Sequence, residues 1–153
     1  SFRLKTLKTN NIMRKLIEDS EKSITATGYS ISGYFAGMLD IIIKKSQQGV
    51  YVRLYVNDIE KQKDVLNKLM AYRSRFLQIY EYRQKEDDKM AALHAKLIVS
   101  DSNRALISSA NLSYHGMQGN IEMGFLIESH EKAKQIEDVL KEMVRMRVFE
   151  KCK

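Results

Sequence analysis

Apolar positions recur along the first half of this chain in two alternating rhythms. Ile12, Met13, Leu16 and Ile17 fall at helical spacing and predict a short amphipathic helix over residues 10–21. The run SITATGYS (23–30) reads as a strand. Phe35, Met38, Leu39, Ile42 and Ile43 form a second helical stripe. Gly49 is placed to close it, because glycine accepts the left-handed conformation of a helix C-cap. VYVRLYV (50–56) is a near-continuous apolar strand, the kind buried on both faces. Asn57 and Asp58 supply a turn and a candidate N-cap. Val65, Leu66, Leu69 and Met70 mark a further helix, and FLQIYEY (76–82) a third strand. The order β-α-β-α-β predicts parallel strands joined by right-handed crossovers.

After residue 82 the rhythm changes. RQKEDDKMA (83–91) is a charged loop. Three strands then follow closely: LHAKLIVS (93–100), RALISSA (104–110) and IEMGFLIES (121–129). A last helix carries Ala133, Ile136, Leu140, Met143 and Val144 on one side. The expected fold class is α/β, a mixed, largely parallel β-sheet flanked by helices, in one domain over residues 1–153.

Composition agrees with a packed core: 44% of residues are hydrophobic and 29% charged, with no proline. Apolar runs such as MLDIII fall far short of the ~20 residues of a membrane span. The opening SFRLKTLKTN has no apolar stretch of a secretory signal. It does not begin with methionine, which leaves room for a longer parent protein. The single cysteine, Cys152, cannot form an internal disulfide, and no Cys/His cluster has zinc spacing. A reducing, cytoplasmic setting is expected.

Charge changes the picture more than composition does. Twenty-six Lys and Arg against nineteen Asp and Glu give a net charge of +7, which suits a polyanionic partner, either nucleic acid or an anionic membrane surface. Arg3, Lys5 and Lys8, then Lys61, Lys63 and Lys68, then Arg145, Arg147 and Lys151 are candidates to track a phosphate backbone. Each is equally well explained as part of a solvated helix face.

The candidate chemistry lies in HAKLIVSDSNRALISSANLS, residues 94–113. On a strand, side chains two apart share a face, so His94 and Lys96 point together, as do Ser109 and Asn111. A tight connection around Asp101, Ser102 and Asn103 would fold the two strands into a hairpin. An imidazole would then meet three hydrogen-bond donors, a site suited to an oxyanion such as phosphate. Glu122, on the third strand, could accept the second ring N–H of His94 and fix its tautomer.

These residues resemble the motif of the phospholipase D superfamily, His-x-Lys, four residues, Asp, six residues, Gly-Ser-x-Asn, at His94, Lys96, Asp101, Ser109 and Asn111. Glu122 fits the acidic residue that follows about ten positions on. Ser108 stands where the family usually has glycine, a change of small cost if that backbone has negative φ. The β-α-β-α-β half also looks like the first half of such a domain, so the resemblance covers most of the chain. HEKAKQIE (130–137) echoes His-x-Lys, but residues two apart on a helix do not share a face, and no Ser-x-Asn follows. The chain thus carries one motif. His115, in the loop SYHGMQGN, is a candidate substrate contact at the rim.

The resemblance implies a phosphodiesterase that needs no metal and no cofactor. It implies that His94 forms a phosphohistidine, that Lys96, Ser109 and Asn111 hold the phosphoryl oxygens, and that Glu122 orients His94. Asp101 belongs to the motif but reads better as structural than as a phosphate contact. Two motifs face each other in this superfamily, so a single-motif chain implies a homodimer with one composite site. The small single-motif branch is mostly nucleases, and this sequence looks most like bacterial defence-associated members, such as the phospholipase D-like component of DISARM systems. A DNA or RNA substrate and other defence proteins as partners follow from that likeness. The alternatives are a cardiolipin-type phospholipase and a non-catalytic nucleic-acid-binding or regulatory module. The absence of tryptophan and of an interfacial helix speaks against the lipid.

Overall fold

A computed structural model describes residues 9–28, 36–88, 90–109 and 122–153. The elements in chain order are α1 (Thr9–Asp19), β1 (Ser23–Gly28), α2 (Ala36–Gln47), β2 (Tyr51–Val56), a 3-10 helix (Ile59–Gln62), α3 (Lys63–Ala71), β3 (Leu77–Tyr82), β4 (Leu97–Ser100), β5 (Arg104–Ser108), β6 (Gly124–Glu128), α4 (His130–Arg145) and β7 (Phe149–Lys151). Among the described residues the strands form a seven-stranded sheet in the order β6-β5-β4-β1-β2-β3-β7.

The mixed α/β sheet expected from the pattern is present. β1, β2 and β3 pair in parallel, while β1–β4, β4–β5, β5–β6 and β3–β7 pair antiparallel. The antiparallel share is therefore larger than the helix–strand alternation of the first half suggests. β7 is an addition: its three residues are too few to show a period, and it is held by pairing with β3.

The local signals act as their chemistry requires. Gly49 has φ 91°, its N–H bonds Ser46 O and the Val50 N–H bonds Lys45 O, the two bonds of a Schellman cap. Asp58 caps the 3-10 helix, its side chain accepting from the Lys61 N–H. Ser129 caps α4 by accepting from the Lys132 N–H.

Two apolar layers sandwich the sheet. On one face α1, α2 and α3 bury Leu16, Ile17, Ile42, Leu66 and Leu69 against Ile24, Val52, Leu77, Ile79, Ile98 and Leu106. On the other, α4 covers Tyr55, Tyr80, Leu93 and Phe149 with Leu140, and covers Val99 and Ala105 with Ala133. No helix of the described residues is long and apolar enough to cross a membrane.

Candidate active site

The parallel strands β1, β2 and β3 end at Gly28, Val56 and Tyr82, at the edge of the sheet where β4 begins. Ligands in open α/β sheets bind outside the carboxyl ends of the strands. His94 and Lys96 lie there, in an irregular segment just ahead of β4 and not within a strand as the alternation predicts. A side chain explains the difference. Thr27, 2% exposed, donates its hydroxyl to Ala95 O and accepts from the Leu97 N–H at 3.1 Å. The threonine thus takes bonds that a backbone ladder would otherwise make. Asn57 Oδ1 accepts from the Leu93 N–H at 3.2 Å, and Lys96 O accepts from the Ser108 N–H at 3.0 Å. The His-x-Lys segment is fixed on both sides of His94 by β1, the end of β2, and β5. The sequence reading missed Thr27 and gave Asn57 only a part in a turn, because a lone threonine or asparagine carries no spacing signal that points to a distant segment.

His94 is exposed and Lys96 half-buried. The Lys96 ammonium donates to His94 O at 3.0 Å, leaving two of its three donor positions for other partners. Ser109 stands just beyond β5, its N–H on Met123 O at 3.0 Å. Its hydroxyl donates to the Glu122 carboxylate and accepts from the Met123 N–H at 3.2 Å. A serine hydroxyl has one proton. Here that proton goes to Glu122, which ties Ser109 to the carboxylate. Asn111 and His115 lie outside the described residues, as do Arg3, Lys5 and Lys8.

The structure does not bring Asp101 to this edge. It sits past the far end of β4, about 16 Å from Lys96 at 3.3 Å per strand residue. Its carboxylate accepts from the backbone N–H groups of Glu21 (3.1 Å), Lys22 (2.7 Å) and Ser23 (3.0 Å), where the chain enters β1. Burial pushes its pKa up, but those three donors, with the Lys22 charge, outweigh it and hold the carboxyl below its ordinary value. A depressed folded pKa means that stability is present above the unfolded value of about 3.9 and is lost as pH falls through the folded one. Asp101→Asn keeps the shape and the tolerance for φ 54°. It should cost about 1–2 kcal/mol at neutral pH, seen as a lower urea midpoint. The gap to wild type should narrow below about pH 4.

The turn beside Asp101 explains the second His-x-Lys. Asp101 and Ser102 both have positive φ (54° and 52°), and the Asn103 N–H closes on Ser100 O. Ser102 is held in that unfavoured conformation from α4: its hydroxyl donates to the buried Glu137 at 2.6 Å, and its carbonyl lies 2.7 Å from His130 Nδ1. His130 and Glu137 therefore secure the β4–β5 turn, at the opposite end of the sheet from His94.

Ser108 has negative φ, as the departure from the family's glycine requires. Opposite it in the ladder is Gly124. A Cβ on Gly124 would stand 2.9 Å from Ile107 O and 3.2 Å from Ser108 Cβ. The β5–β6 ladder is thus closed to a side chain at Gly124, first by the Ile107 carbonyl and then by the Ser108 Cβ.

Several cations of the proposed basic track are paired locally: Lys61 with Asp58 at 3.0 Å, Lys63 with Glu60 at 3.3 Å, Lys68 with Asp40 and Arg145 with Glu142. Burial and the nearby Glu81 carboxylate push the Cys152 thiol up to about 11.

The family model for "Cardiolipin synthase, PLD-like domain" matches residues 13–144. The chain belongs to the PLD-like domain family. It is 35% identical over 144 residues to the DISARM protein DrmC of Bacillus paralicheniformis, a match covering 94% of this chain and 59% of that protein. This PLD-like chain thus spans about three fifths of the length of that relative. Its fold is similar to that of Nuc, a phospholipase D family member from Salmonella typhimurium, with a TM-score of 0.75 at 13% identity, covering 94% of this chain and 90% of Nuc. It is also similar to TrmBL2, an archaeal chromatin protein whose structure shows a novel mode of DNA binding, with a TM-score of 0.64 at 13% identity, covering 91% of this chain and 49% of TrmBL2.

Proposed function

We propose that this PLD-like domain is a metal-independent phosphodiesterase that cleaves nucleic acid through a phosphohistidine on His94. The observation that carries the reading is the gathering of His94, Lys96 and the Ser109–Glu122 pair at one edge of the sheet. In the first step a ring nitrogen of His94 bonds to phosphorus and the P–O bond to the leaving group breaks. The His94 of a second copy gives that oxygen its proton. In the second step this same histidine takes a proton from water, the water oxygen bonds to phosphorus, and the P–N bond breaks. Lys96 and Asn111 neutralise the phosphoryl oxygens, and Glu122, fixed by Ser109, orients the imidazole. One motif per chain makes the site the property of a homodimer, with the two His94 residues facing across a two-fold axis.

Nucleic acid is favoured over lipid by the absence of tryptophan from the sequence and by the likeness to TrmBL2, a protein that binds DNA. The likeness to DrmC supports a role in DISARM-type phage defence beside other proteins of such a system. The description of the family model keeps a phospholipase as the second reading.

The test is the purified protein in excess EDTA with labelled single- and double-stranded DNA, RNA, and liposomes containing cardiolipin. Cleavage of a nucleic acid is expected. Quenched reactions should hold phosphate on the protein in a form stable to base and lost in acid, as expected for phosphorus on imidazole. Hydrolysis of lipid alone would overturn the substrate, and a strict need for added Mg²⁺ would overturn the mechanism. Lys96→Ala should lower turnover by roughly 10²-fold, the scale of one lost transition-state donor.

A further inference from the structure

A cavity of about 420 Å³ opens at the ends of β2 and β3, beside the segment that leads to His94. Its walls include Lys61, Glu81, Tyr82, Arg83, Met90 and Ala92. Ala92 is two residues from His94, so this wall lies within about 7 Å of the His94 backbone. Asn57, which also lines the cavity, holds the N–H of Leu93. The cavity and the His-x-Lys segment are thus parts of one framework. The far wall is fixed as well: the Arg83 N–H bonds Val148 O, and Glu81 accepts from the Ile59 N–H at 2.9 Å.

The charges of the lining decide what fits. Three carboxylates, Asp58, Glu81 and Glu150, meet two cations, Lys61 and Arg83. A phosphate has no advantage inside such a space. A neutral, flat group with amino hydrogens does, because carboxylates accept from the exocyclic amines of bases. Tyr82 offers an aromatic wall, and bases stack on aromatic rings and on guanidinium planes. The two cations are exposed and paired with acids, Lys61 with Asp58 at 3.0 Å and Arg83 with Glu150 at 3.7 Å. Exposed pairs of this kind contribute little and exchange readily.

We infer that this cavity is a subsite for the nucleobase next to the scissile phosphodiester, selective for bases with an exocyclic amine over thymine or uracil. Lys61 and Arg83 leave their carboxylates to meet the adjoining backbone phosphate at the rim. This rests on the nucleic-acid reading above and names the part of the substrate that the domain reads.

The test is the affinity of His94→Ala protein, which leaves the probe uncut, for short labelled oligo(dC) and oligo(dT) by fluorescence anisotropy. Oligo(dC) should bind on the order of tenfold more tightly, the scale of one well-held base. Ala91→Phe, which fills the cavity, and Glu81→Gln, which keeps an acceptor for Ile59 but removes the charge, should each erase that difference. Arg83→Ala should weaken both probes several-fold, whereas Lys15→Ala, the same charge change on α1, should alter neither by more than about twofold. Equal binding of the two probes by the parent protein would overturn the subsite and leave the nucleic-acid reading standing. So would a preference that survives both cavity variants. Binding of neither probe would overturn the subsite, and the cleavage assay on DNA, RNA and liposomes decides the nucleic-acid reading separately.

Discussion

His94→Ala is expected to have no measurable phosphodiesterase activity while unfolding at the wild-type temperature. The two halves of that statement have separate causes. His94 is exposed and lies outside the regular elements, so the core loses no buried area with it. The first bond of the proposed reaction forms on its ring nitrogen, and removing the nucleophile of a catalytic unit costs about 10⁶-fold. Assembly can be read from the same variant. A two-fold dimer with one composite site needs both histidines, so a mixed dimer is nearly dead. If wild-type and His94→Ala chains are unfolded together in equal amounts and refolded, random pairing leaves about a quarter of the dimers intact. Activity should fall to about a quarter of the all-wild-type value at equal protein. A fall to one half would mean that each chain works alone.

Thr27→Val should lower turnover by roughly 10²-fold with little change in KM, although residue 27 contacts no substrate in the proposed scheme. Valine keeps the shape of threonine and removes its donor and acceptor together. Ala95 O and the Leu97 N–H, on either side of Lys96, then lose their shared partner. Two part-buried groups left without that bond cost up to about 1–3 kcal/mol each. The segment shifts to find other partners, and a misplacement of about 1 Å at the reacting group is worth that factor in rate. Thr27→Ser restores the hydroxyl and should recover most of the turnover. If valine lowers stability but leaves turnover unchanged, Thr27 is a core residue and nothing more.

Period and punctuation made most of the framework legible. The stripes Met13–Leu16–Ile17 and Leu39–Ile42–Ile43 face the sheet as read, and Gly49 ends its helix in the expected conformation. What escaped reading was held by contacts distant in sequence. β7 exists through pairing with β3, about seventy residues earlier. The strand over 93–100 is shorter than its apolar pattern because Thr27 intervenes at residues 95–97. Spacing proposed His94, Lys96, Ser109 and Glu122 for one site, and they do lie at one edge of the sheet, but it said nothing of direction. The Ser109 hydroxyl turns to Glu122, and Asp101, five residues from Lys96 in the same motif, serves the opposite end of the sheet. A motif fixes intervals along a strand, and the two ends of a strand do different work.

The crossing of Ser108 and Gly124 has a consequence for reading other sequences. A Cβ at 124 would meet the Ile107 carbonyl oxygen at 2.9 Å before it met the Ser108 Cβ at 3.2 Å, and that carbonyl stays whatever residue stands at 108. Glycine at 124 is therefore demanded by the backbone of the facing strand, and the residue at 108 is a separate choice. Gly124→Ala should lower the urea midpoint, and adding Ser108→Gly should recover little of the loss, because the carbonyl contact remains. A departure from the family's glycine at 108 is then no sign of decay, since the glycine that this crossing needs stands on its neighbour.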